Sequence, residues 1–150
     1  MIQRIQSIFM VALITGCALL LFIPSIVFST VNQSPLIVEI TLLPLFKAAG
    51  VSVLVFVPAF LNLDVLLLSV IALFSFKNRK KQMSYMSIVM LLSLLNFFAL
   101  YGFDFFPSET KIKLVEWPCY IPLLQFLFAL LARIYVKKDD DLVRSADRLR

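Results

Sequence analysis

The chain has 150 residues, 61% of them hydrophobic and only 15% charged, with a mean hydropathy of +0.97 and a net charge of +5. An ordinary soluble domain carries about 25% charged residues, so this composition excludes one and points to a single integral membrane domain, too short to be two. Histidine is absent, which removes the commonest general base and metal ligand. A positive balance in so apolar a chain records orientation in a membrane rather than nucleic-acid binding.

The first predicted span covers residues 8–28. Two processing signals compete with an uncleaved span. "ITGC" at Ile14–Cys17 has the form of a lipoprotein cleavage box, but "ALLLFIPSIVF" follows it where lipoproteins continue with polar residues. "VFS" at Val27–Ser29 has the form of a signal-peptidase site, yet the apolar run before it exceeds the roughly 7–15 residues of a signal core. Beyond it, "LIVEITLL" sets Val38, Ile40 and Leu42 against Glu39 and Thr41, a two-residue period that suits a strand. "VSVLVFV" at Val51–Val57 is rich in β-branched residues and suits one too. With "TKIKLVEW" at Thr110–Trp117, these segments predict a small cap of two or three strands; helical extensions or an interfacial loop are the alternative.

Apolar residues then extend from Ala48 to Phe76, too many for one crossing of ~20 residues. Proline belongs in the first turn of a helix, so Pro58 places the second span at 57–76. The third runs over 83–103 and the fourth over 118–136, with Trp117 and Tyr120 as an interfacial aromatic belt. The predicted fold class is therefore an all-α membrane protein of four transmembrane helices, with a β cap on its outer face. Four crossings put eleven Lys and Arg residues on the side of the termini and Lys47, Lys111 and Lys113 on the other, together the fourteen of the chain. That excess marks the cytoplasmic side, toward which Arg133 can snorkel. Cys17 and Cys119 form no CxxC pair, and Cys17 lies ~16 Å deep by helix rise, which disfavours a thiol oxidase.

Within the spans, Asp64 is the costliest residue, at about 2.5–3.5 kcal/mol for an acid at a helix centre. Counted from the predicted outer ends, Asp64, Asn96 and Gln125 each lie seven residues down, with Asn62 just above. The expectation is one polar layer of Asn62, Asp64, Asn96 and Gln125, acting either as structural glue that sets helix register or as a proton, cation or small-ligand site.

Three charged or polar segments remain for the cytoplasmic face: "MIQRIQ" at Met1–Gln6, "KNRK" at Lys77–Lys80 and "RSADR" at Arg144–Arg148. In these three motifs, in this order across the whole chain, the sequence resembles a family of small bacterial four-helix membrane proteins, catalogued as domain of unknown function four-two-nine-three. The resemblance implies an uncleaved first span and a bacterial cytoplasmic (inner) membrane location. It assigns no activity and gives Asp64 no role. The tail from Lys137 reads as a helix continuing the fourth span, with Asp140 and Arg144 four residues apart. Arg4, Lys77, Arg79, Lys80, Arg144, Asp147 and Arg148 are the candidate cytoplasmic patch, suited to anionic lipid head groups or a protein partner. The expected function is a non-enzymatic scaffold or accessory subunit without cofactor, metal or nucleic acid, both termini cytoplasmic; the alternative is a small oligomeric transporter using Asp64.

Overall fold

The computed structural model describes residues 2–22, 26–29, 57–102, 111–114 and 120–148. In chain order these form α1 (Ile2–Phe22), β1 (Ile26–Ser29), α2 (Val57–Phe74), α3 (Arg79–Gly102), β2 (Lys111–Leu114) and α4 (Ile121–Arg148). The helices pack around a ring in which α1 touches α2 and α4, and α3 touches α2 and α4. Neighbours run antiparallel. Cys17 of α1 meets Asn62 of α2 at one level, and Met10 meets Ala72 through Gln82 at another. The start of α1, the end of α4 and the α2–α3 turn thus share one end, the proximal one; Phe22, Val57, Gly102 and Ile121 mark the distal end.

Each helix buries a stripe spaced alternately by four and three residues. On α1 it is Gln6, Met10, Leu13, Cys17 and Leu20; on α2 Pro58, Asn62, Val65, Ser69 and Ala72. On α3 it is Gln82, Met86, Val89, Ser93, Asn96 and Leu100, and on α4 Pro122, Gln125, Ala129, Ala132 and Val136. That 3.5-residue repeat is the signature of left-handed bundle packing. The stripes are rich in small and amide side chains, whereas the outside carries Ile8, Phe22, Phe60, Leu91 and Phe98, all more than half exposed. Such an inverted distribution suits helices whose solvent is as apolar as their own core, so that small residues set close approach and polar ones supply the glue. Three helices, α1 over Ile5–Phe22, α2, and α3 over Arg79–Tyr101, are long and apolar enough to cross a membrane. The apolar part of α4, residues 121–136, spans ~24 Å before the charged extension begins.

Several boundaries differ from those the sequence predicts. The first helix ends at Phe22 rather than 28, and Ile26–Ser29 is extended. Pro24 explains the break, since it offers no amide to a continuing helix and disfavours helical backbone before it. The second helix stops at Phe74, where Ser75 N–H donates to Ile71 O and Ala72 O and the chain turns. The third begins four residues earlier than expected, at Arg79. Asn78 caps it: its Oδ1 accepts from Lys81 N–H at 3.2 Å, and its carbonyl takes the first helical bond from Gln82 N–H. The asparagine of the "KNRK" motif is therefore a helix N-cap, placed at a tight α2–α3 turn.

The expected β cap is corrected. Lys111–Leu114 is extended, as its alternation predicts, but it pairs antiparallel with Ile26–Ser29, Ile26 opposite Leu114 and Ser29 opposite Lys111. That partner was expected to be helical. The strand expected at 36–43, and that expected at 51–57 except for Val57, lie outside the described residues, and Val57 begins α2 instead, so a cap built from them has no support.

Removing the N-cap as Asn78→Ala is expected to lower stability by about 1 kcal/mol, read as a lower unfolding midpoint in detergent, while Asn78→Asp retains most of it. An Ala variant as stable as the native chain would show that the cap contributes nothing.

Candidate functional site

Two groups of polar side chains stand out, one buried between the helices and one at the proximal end. The buried group is centred on Asn62. Its Nδ2 donates to Cys17 O at 3.1 Å, and its Oδ1 accepts from Gln125 Nε2 at 3.3 Å. Gln125 Nε2 also approaches Cys17 Sγ at 3.4 Å. These contacts join α1, α2 and α4. Asn96 of α3 is 1% exposed, and with Asn62 it lines a cavity of about 20 Å³ walled otherwise by Leu20, Leu21, Pro58, Ala59 and Leu100. The volume admits one water, and Asn96 Oδ1 and Gln125 Oε1 are buried acceptors without a protein partner. An unsatisfied buried acceptor costs about 1–3 kcal/mol, so a water that donates to Asn96 Oδ1 is favoured in the cavity, whose lining does not include Gln125. Gly16 faces the Gln125 side chain across α1 and α4: a methyl group there would lie 3.6 Å from Gln125 Cγ, in ordinary contact.

Asp64 does not belong to this layer. Asn62 and Gln125 are buried and bonded, but Asp64 is exposed on the outer face of α2, with no hydrogen bond or ion pair among the described residues. The reason is the helix turn. Two residues advance the chain by ~200°, so Asn62 and Asp64 point to opposite sides at nearly equal height. Equal depth along the bundle does not imply a shared face.

A second buried amide level was not expected. Gln82 Nε2 donates to Ala72 O at 3.1 Å and lies 3.6 Å from Met10 Sδ, and Gln6 is 5% exposed nearby in chain order on the α1 stripe. The signal was available: Gln82 sits at the same alternating spacing as Met86, Val89, Ser93 and Asn96, and Gln6 at that of Met10, Leu13 and Cys17.

At the proximal end, the α2–α3 turn docks against the extension of α4. Arg79 Nη2 lies 3.1 Å from Asp139 Oδ2, and its Nη1 donates to Asp139 O at 3.2 Å. Arg144 pairs with Asp140 at 2.6 Å, one helical turn away. Lys138 lies 5.5 Å from the centre of the Tyr135 ring, which stacks on Phe9 of α1. Between turn and extension lies an open groove of about 540 Å³ lined by Phe76, Lys77, Asn78, Arg79, Lys80, Asp140 and Val143. Lys77 and Lys80 are exposed and form no ion pair among the described residues. Of the expected patch, the structure thus brings together Lys77, Arg79 and Lys80, with Arg144 reaching the groove only through Asp140. The side chains of Arg4, Asp147 and Arg148 lie outside the described residues. Asp140 pairs with Arg144 as its spacing predicts, while the contact of Asp139 with Arg79 has no signal in the sequence; together the acids meet a basic helix start whose positive charges the α3 dipole disfavours.

The sequence signature of a family described as a domain of unknown function (DUF4293) matches residues 2–149, and the chain belongs to that family. No curated protein matches it, and neither does any solved structure.

A double-mutant cycle on Asn62→Leu and Gln125→Leu is expected to give a coupling of about 0.6–2 kcal/mol in detergent unfolding. Strict additivity of the two losses would show that the 3.3 Å contact carries no energy.

Proposed function

We propose that this DUF4293 member is a non-enzymatic scaffold or accessory subunit of a bacterial cytoplasmic membrane, with four crossings and its proximal end in the cytoplasm. The groove between the α2–α3 turn and the α4 extension is its docking surface for anionic lipid head groups or an acidic protein segment. One observation carries the reading. Lys77 and Lys80 stand exposed and unpaired on the groove rim, while the neighbouring acids are already engaged, Asp139 by Arg79 and Asp140 by Arg144.

Charge distribution supports the orientation: the proximal segments hold eleven of the fourteen Lys and Arg residues, the pattern of a cytoplasmic face. Basic side chains at that surface attract anionic lipid by about 1 kcal/mol each. Arg79, bonded to the Asp139 side chain and carbonyl, acts as a positioning residue that ties the turn to the extension and so fixes the groove's width. Phe76 and Val143 add apolar wall to the groove, which suits contact with acyl chains.

Two measurements test the proposal. A reporter fused after Arg150 is expected to be active in the cytoplasm alone; activity outside would invert the orientation. In native mass spectrometry from detergent doped with phosphatidylglycerol, Lys77→Ala and Lys80→Ala are each expected to lower lipid retention roughly fivefold. Retention equal to that of the unsubstituted chain, with phosphatidylcholine bound as well as phosphatidylglycerol, would overturn the docking surface.

A further inference from the structure

Asp64 poses a question that the cytoplasmic groove does not answer. It sits on the outward seam of α2, formed by Val57, Phe60, Asp64, Leu67, Ile71 and Phe74, all exposed and spaced by alternating threes and fours. Every other member is apolar. With the helices in a bilayer, the carboxylate would face hydrocarbon, the costliest placement for an acid. A polar group on a neighbouring molecule would offset that cost.

The bundle itself limits what that is. Copies of a membrane protein related by an axis along the bilayer normal keep every residue at its own depth. Asp64 can therefore meet, on another copy, only what lies at its own level. The Asn62–Cys17 hydrogen bond supplies the common height. Asp64 lies two residues after Asn62 on α2, and Thr15 two residues before Cys17 on the antiparallel α1. Both are thus ~3 Å nearer the proximal end than that bond. Thr15 is also exposed, on the α1 seam with Ile8, Val11, Leu19 and Phe22. At this depth the described outward residues of α3 and α4 are apolar, among them Leu91, Leu95, Leu124 and Leu127. Arg133 is exposed too, but it lies eight residues beyond Gln125 on α4, ~9 Å nearer the proximal end than Asp64.

We propose that a second copy of this chain packs the outward face of its α1 on the outward face of α2, with the Thr15 hydroxyl donating to the Asp64 carboxylate. Two candidates exist at the right level, and charge decides between them. A two-fold contact of α2 with α2 sets Asp64 against Asp64, which like-charge repulsion opposes. A contact of α1 with α2 sets a hydroxyl donor against an anionic acceptor, a short and charge-assisted bond. In the single chain, Thr15 Oγ donates to Val11 O at 3.0 Å. That carbonyl already accepts a helical amide, so the hydroxyl can turn to the carboxylate without leaving it unpaired. The interface is heterologous, one face on a different face, and such contacts generate rings rather than two-fold dimers. The inference goes beyond the groove and rests only on the helices lying in the bilayer.

The test uses the full chain with Cys17→Ser and Cys119→Ser. Leu19 lies two residues beyond Cys17 and Phe60 two residues before Asn62, so they too share one height. Leu19→Cys and Phe60→Cys are placed on differently tagged, co-expressed copies in membranes and oxidised. A disulfide between the two tags is expected to predominate over either like-with-like product. Predominant Phe60→Cys self-linking would assign the two-fold contact instead, and no linking in any arm would leave α2 without a second copy; either outcome overturns the proposal. In the chain with its own cysteines, Asp64→Leu is expected to raise the dissociation constant of the oligomer roughly 3- to 30-fold by native mass measurement. Asp64→Asn, which still accepts a hydrogen bond, is expected to stay near the native value. An unchanged oligomer in Asp64→Leu would sink the idea even if the cysteine variants fail to fold. Lipid retention at the groove is a separate readout, so failure of one proposal leaves the other standing.

Discussion

The Asn62 side chain holds three helices at one height, and most of the architecture can be measured from it. Between helices that share an apolar solvent there is little hydrophobic drive to choose one register over another, because sliding a leucine past a leucine changes little. A buried amide is different. It has fixed donors and acceptors and loses them when a neighbour slips by a turn. By donating to Cys17 O and accepting from Gln125, Asn62 makes the α1–α2–α4 register specific. Gln82, reaching Ala72 O and Met10, repeats the device nearer the proximal end. The buried serines Ser69 and Ser93 do not compete for these partners, since each returns its hydroxyl to its own helix, to Val65 O and Val89 O.

With the register set, the proximal end follows. Asn78 starts α3 directly after the turn, which brings Arg79 to the flank of α4 where Asp139 emerges from the apolar stretch. The alternating charges of the last segment then have a physical purpose. Its acids neutralise a basic turn from one side, and its own Arg144 neutralises Asp140 in turn. Positive charge is left over on Lys77 and Lys80, at the rim. A tail of basic residues alone would have repelled the turn.

Much of the helical architecture was legible in the sequence because apolar length and proline position act locally. Pro58 in the first turn of α2 and the charged turn after Phe76 fall where such rules put them. The misreadings have equally physical causes. Ile23–Phe28 is as apolar as a span, and the local signal that parts it from α1 is the backbone constraint of Pro24. The pairing of Ile26–Ser29 with Lys111–Leu114 joins segments more than eighty residues apart, and an alternating pattern names a strand without naming its partner. The polar layer was read by depth alone, so Asn62 and Asp64 were grouped although a helix turns them apart. Gln6 and Gln82 were missed for the converse reason: they sit near the bundle's charged end, where a glutamine looks like surface, yet their spacing places them on the buried stripes.

By itself, the sequence determined the grammar: apolar runs long enough to cross a membrane, some of their breakpoints, the clustering of basic residues near the termini and the central turn, and the motifs that carry the family resemblance. These depend on residues close together in the chain or on simple sums over it. Only the tertiary structure decided which polar residues face one another. That choice rests on the rotation of each helix about its axis and on its height against its neighbours, quantities set by packing across the whole bundle. For this reason Asn62 became an anchor inside the protein, while Asp64, two residues on, became a polar mark on its outside.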